Sequence, residues 1–96
     1  MERKTVLADD AKGVWQYSIT HRDQLFGQRV SRPADSQEFF TYVYSVSPDD
    51  PEGNGIAVIR RISTMDEGPF ATLSQAVERG DALIHLWEQN HELPTS

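Results

Sequence analysis

The chain's 96 residues, 38% apolar and 25% charged, suit one small domain with a single core. A formal charge of −6 argues against a general nucleic-acid binder, whose affinity comes from neutralising phosphates; it permits a basic partner without requiring one. With no cysteine, disulfide stapling, thiolate catalysis and cysteine-ligated zinc are excluded.

Residues 1–12 mix charge and small side chains without a sustained period, and predict a flexible N-terminal arm ahead of a single domain over 13–93. The arm's apolar run, Thr5 to Ala8, is too short for a signal-peptide core. No other segment approaches membrane-spanning length, so a cytoplasmic setting without membrane contact is expected. "GVWQYSITHR" then alternates, with Trp15, Tyr17 and Ile19 on one side and Val14, Gln16, Ser18 and Thr20 on the other. That period of two predicts a half-buried strand.

In "RDQLFGQRVSRPADSQE" the apolar content is Leu25, Phe26 and Val30, broken by Gly27 and closed by Pro33. The reading is a turn near Arg22 to Gln24 and a short irregular strand around Leu25 to Ser31, with a helical turn capped by Asp23 as the alternative. "FFTYVYSVS", residues 39–47, is the clearest strand, rich in aromatic and β-branched types. Phe40, Tyr42, Tyr44 and Val46 share one face of it, and Phe39, Thr41, Val43 and Ser45 the other. The acidic loop 48–55, with two prolines and Asn54-Gly55, leads into "IAVIRRIS", so the two strands should pair as a hairpin.

After the connector "TMDEGPFA", Thr72 and Gln75 have capping-box spacing. Leu73, Ala76, Val77, Gly80, Leu83, Ile84 and Trp87 then fall in an arc of roughly 120° on a helical wheel, the width of a core-facing stripe. Leu86 lies outside it, and Pro94 stops the helix near Asn90 or His91. Glycine in a helix interior costs roughly 1 kcal/mol against alanine. Gly80 is therefore expected to make room for large rings, and the ring-bearing row Trp15, Tyr17, Phe40, Tyr42 and Tyr44 is expected beneath the helix. The opposite face, with Val14, Thr20, Phe39, Val43 and Ile59, would then stay open. The predicted class is α+β: an antiparallel sheet of three to four strands with a C-terminal amphipathic helix packed on one face.

"WQYSIT" and "GPFATLSQAVERG" resemble segments of small uncharacterised proteobacterial proteins, a domain of unknown function built from an antiparallel sheet and one C-terminal helix. The resemblance covers the first predicted strand and the last third of the chain. It implies architecture and a bacterial setting, and carries no functional residue across.

Glu78, Asp81, His85 and Glu88 lie three or four residues apart on the helix side away from the stripe. They resemble a cation-chelating set but are read as a solvated face, with Asp81 and His85 paired across one turn. His21 and His91 sit at element ends, where a general base or a favourable dipole contact is conceivable. No nucleophile elbow or phosphate loop accompanies them, so no catalytic residue, metal ligand or cofactor is assigned. The leading expectation is a protein-binding or accessory module, or one that self-associates. It would use Phe39, Val43 and Arg61 on the open sheet face, or Asp49, Asp50 and Glu52 in the acidic loop. The alternative is an RNA- or DNA-binding domain using Arg29, Arg32, Arg60 and Arg61 with the sheet aromatics, as single-strand binders do.

Overall fold

The computed structural model describes residues 1–47, 58–63 and 66–92. Among these, six strands precede one helix: β1 (Glu2–Asp9), β2 (Val14–His21), β3 (Gln24–Ser31), β4 (Phe39–Ser47), β5 (Val58–Arg61), β6 (Glu67–Phe70) and α1 (Leu73–Glu92). The first five form an antiparallel meander in chain order. β5 and β6 share the outer edge of β4, β5 beside Tyr44 to Ser47 and β6 beside Phe39 to Thr41. The class is α+β as expected, with more strands than the three or four anticipated.

The two additional strands are those with the least pattern. The expected flexible arm is strand β1, an edge strand whose backbone pairs with β2 from Glu2 to Asp9 through a bulge between Thr5 and Leu7. Most of its side chains are exposed, so apolar periodicity had nothing to report there. Charges and a bulge on an outer strand also hinder further pairing by other chains. β6 is four residues long and includes Gly68-Pro69, which disguises it as a turn.

Two tight connections shape the meander. Arg22 and Asp23 both have positive φ, 51° and 63°, the requirement of a two-residue hairpin loop, although neither is the usual Asn or Gly. Arg22 Nη1 reaches Glu88 Oε1 at 2.8 Å, so the helix holds this turn in place. Gly13, at φ 69°, closes the β1–β2 turn, and an added Cβ there would lie 2.5 Å from the Arg32 carbonyl oxygen. The helix begins as its capping residues indicate. Thr72 Oγ1 accepts from the Gln75 amide at 3.1 Å, and Gln75 Oε1 accepts from the Ala71 amide at 3.0 Å.

The helix covers Trp15 and Ile19 from β2, Phe26, Gln28 and Val30 from β3, and Thr41, Val43 and Ser45 from β4. On β2 this is the expected face. On β4 it is the opposite one, so Phe40, Tyr42 and Tyr44 lie outside the core. Register decides this. Phe26 pairs with Ser45, Gln28 with Val43 and Val30 with Thr41, so once Phe26 and Val30 turn inward the β4 tyrosines must turn outward.

The core has two apolar ends. One holds Ile19, Phe26, Val43, Leu83 and Ile84, with Trp87 edge-on to Phe26 at 5.4 Å. The other holds Trp15, Val30 and Ala76, with Phe39 and Phe70 packed against them. Between them lies Gln28, fully buried. Its Nε2 donates to Thr41 Oγ1 at 3.0 Å and to the Ala76 carbonyl at 3.1 Å, and its Oε1 accepts from Arg3 Nη2 at 3.0 Å. Arg3 Nη2 also meets Asp81 Oδ1 at 2.5 Å, tying the edge strand to the helix. Gly80 sits directly over the Gln28 amide, which an added Cβ would overlap. The glycine makes room for a hydrogen-bonded amide rather than for rings.

Tyr17 lies beside this network, with the Arg3 guanidinium 5.6 Å from its ring centre. Burial raises its phenol above the usual 10.0, and the Arg3 charge partly offsets that. The folded state thus favours the neutral phenol. The associated stability is present below the ordinary tyrosine value and is lost as pH rises through the raised folded value. Urea unfolding above about pH 10 should show a decline in stability that Tyr17→Phe reduces; an identical decline in the variant would assign it to other groups.

Candidate binding surface

Period two and the register together define the face the helix leaves uncovered. Four cross-strand rows make it up: Glu2, Thr20, Leu25 and Val46; Lys4, Ser18, Gly27, Tyr44 and Arg61; Leu7, Gln16, Arg29 and Tyr42; and Asp9, Val14, Ser31 and Phe40. Val6, at the bulge, joins the same face beside Gln16 and Ser18.

Gly27 shapes this surface. The Tyr44 ring lies over its bare backbone, and an added Cβ would enter the ring. Tyr42 stands 6.1 Å from Tyr44 between ring centres, and the Arg61 guanidinium covers Tyr42 at 4.3 Å. Arg61 in turn pairs with Asp66. Beside Tyr44 the surface dips into a notch of about 110 Å³, walled by Val6, Leu25, Val46 and Tyr44, with Gln16 and Ser18 contributing polar groups. Val6 is 65% exposed, Leu7 41% and Leu25 39%, a concentration of apolar side chains in water at one side of the sheet.

The anticipated site residues divide. Arg61 and Arg29 are on the uncovered face. Val43 is fully buried under the helix and Phe39 packs beside Trp15 at 5.6 Å, so neither belongs to an open surface. Both were placed there by the inverted face assignment of β4. Arg32 stacks on Trp15 and Phe39 and donates to the Asp10 carbonyl at 2.6 Å, closing the end of the core. Arg60 stands opposite Ser45, a register position of the covered face. Asp49, Asp50 and Glu52, with the whole 48–55 loop, lie outside the described residues. Sequence reasoning placed Tyr44 on a binding face only in the nucleic-acid alternative and missed Val6 and Leu25; the one available signal was Gly27 in mid-strand, which marks a close approach by another group.

Glu78 is exposed, as a solvated face requires, whereas Asp81, His85 and Glu88 have partners. Asp81 binds Arg3 instead of His85, while Glu88 contacts His21 and Arg22. His85 lies edge-on to the His21 ring at 5.6 Å. His21 thus braces the helix against the β2–β3 turn. Among the described residues no group of three or more His, Asp or Glu side chains is placed to hold a metal ion. No helix among them is long and apolar enough to cross a membrane. No family model, curated protein or solved structure matches the chain.

Proposed function

We propose that this protein is a small protein-binding module whose working surface is the sheet face opposite the helix. One observation carries the reading: Val6 and Leu25 stand partly in water around the notch beside Tyr44, with Leu7 on the same face, which no other element among the described residues covers. Scattered exposed apolar residues are ordinary, whereas a cluster rimmed by polar side chains marks an interaction site. The helix side, by contrast, closes its core with ion pairs at Arg3–Asp81 and Arg79–Glu67.

The test is a Val6→Glu/Leu25→Glu double variant. Both side chains lie on the uncovered face, Val6 65% and Leu25 39% exposed, so the variant should fold with its melting temperature lowered by no more than a few degrees. Capture of a stoichiometric protein partner from the native cell after nuclease treatment should fall at least about ten-fold, the effect of losing roughly 1.4 kcal/mol at the interface. Size exclusion of the same pair tests whether the partner is a second copy. Undiminished capture and unchanged association would reject this face as the working surface.

Nucleic acid is a second reading, favoured by the position of Tyr42 and Tyr44, both half-buried, on the uncovered face that carries Arg29 and Arg61. The demand of the core for those rings no longer stands against it. Salt-dependent retention of a single-stranded oligonucleotide, lost in Arg29→Glu, would favour this reading over a protein partner.

A further inference from the structure

We infer that the notch beside Tyr44 is an anchor site for an acidic peptide segment bearing one bulky apolar side chain. The inference rests on the reading of the uncovered face as a docking surface, and names what docks there.

Size sets the first constraint. The notch holds about 110 Å³, well below the roughly 300–1,000 Å³ of small-molecule sites. A cavity of about 150 Å³ accepts benzene, so a space somewhat smaller and open on one side suits a single branched aliphatic or aromatic side chain. Its walls, Val6, Leu25, Val46 and Tyr44, are apolar or ring-faced, matching such a side chain. Gly27 keeps the floor low, because any larger residue there would displace the Tyr44 ring that forms one wall. A deep apolar anchor surrounded by polar contacts is the usual energetic centre of a protein interface.

Charge sets the second. In a chain of net charge −6, the rows around the notch carry two cations at its middle, Lys4 beside Ser18 and Arg29 between Gln16 and Tyr42, with the acids Glu2 and Asp9 only at the ends of the face. The side chains of Lys4 and Arg29 form no ion pair or hydrogen bond among the described residues. Complementary potential therefore calls for carboxylates on either side of the anchoring group.

An anionic strand carrying rings also describes single-stranded nucleic acid, and three observations favour the peptide. The Tyr42 ring is already covered by Arg61, whose charge Asp66 offsets. Tyr44 rests on Gly27, leaving one ring face for stacking. Register places Glu2 and Asp9 at the two ends of the same surface, where a continuous phosphate backbone would meet them. One notch with local cations fits one side chain with local acids.

The probe is a displayed library of random dodecapeptides selected against the full chain. Enriched peptides should share one bulky apolar residue flanked by at least two Asp or Glu. Their synthetic versions should bind at least ten-fold more weakly to Ser18→Phe, which fills the notch, and to Arg29→Glu, which inverts its rim. Absence of enrichment, a basic or uncharged consensus, or tighter binding of oligo-dT than of any selected peptide would overturn the inference. Thermal melts of both variants check that they fold, and substitution of the apolar residue in the peptide provides the same comparison on unaltered protein. Peptides insensitive to Ser18→Phe yet lost in Val6→Glu/Leu25→Glu would overturn the anchor while leaving the docking face. Peptides insensitive to both would remove both.

Discussion

Replacing Gly80 by leucine should destabilise the domain by about 1–3 kcal/mol, the usual cost of overfilling a packed interior. Helix propensity alone predicts the opposite sign, since leucine is favoured over glycine by most of 1 kcal/mol. What decides the outcome is the Gln28 amide, directly beneath the glycine and bonded to Thr41, Ala76 and Arg3. A side chain at 80 pushes that amide away from partners it cannot replace with water. Each intramolecular hydrogen bond lost costs about 0.5–1.5 kcal/mol, and a buried donor left unpaired about 1–3. The specific claim is coupling. In a Gln28→Ala background the space is vacated, so Gly80→Leu should cost at least about 1 kcal/mol less than in the native sequence, within the 0.5–3 kcal/mol range of contacting pairs. Urea titration of the four proteins measures this, and additive effects would mean that the glycine serves something other than Gln28.

That pairing also shows where sequence reasoning stopped. The small middle of the helix stripe, Ala76 and Gly80 between Leu73 and Trp87, was legible as an accommodation, because amphipathic period and residue size are both local properties. The guest was not. A glutamine flanked by Phe26 and Val30 gives no sign that it will be buried, since its burial depends on donors and acceptors supplied by β1, β4 and the helix. Strand β2, the β3 segment, strand β4 and the helix with its Thr72 cap were readable from period and capping chemistry. β1 was not, because an edge strand exposed along most of its length needs no apolar alternation. The candidate surface suffered most. Ring content points Tyr42 and Tyr44 inward, yet a tyrosine carries a polar tip and tolerates a half-buried position. Thr41 and Ser45 looked like surface residues and are buried; Thr41 donates to the Arg29 carbonyl at 2.8 Å and accepts from Gln28.

Inside and outside on β4 are therefore best tested by two neighbouring substitutions with opposite expectations. Val43 is 0% exposed and packs with Ile19, Phe26, Leu83 and Ile84. Aspartate at 43 would have to be buried as a charge without a partner, at an effective cost of several kcal/mol, or take up a proton and still lose its apolar contacts. A domain of this size has about 5–15 kcal/mol of stability in total, so Val43→Asp should be largely unfolded or lose most of its cooperative transition. Tyr42→Ser removes a ring from the uncovered face and its contact with Arg61. That contact is worth about 0.5–1 kcal/mol at exposed sites, so a cooperative melt lowered by a few degrees is expected. Circular dichroism and thermal melts of the two variants give the comparison directly. If Val43→Asp folds normally while Tyr42→Ser collapses, the helix covers the other side of the sheet, and Leu25 and Tyr44 belong to the core rather than to a docking surface.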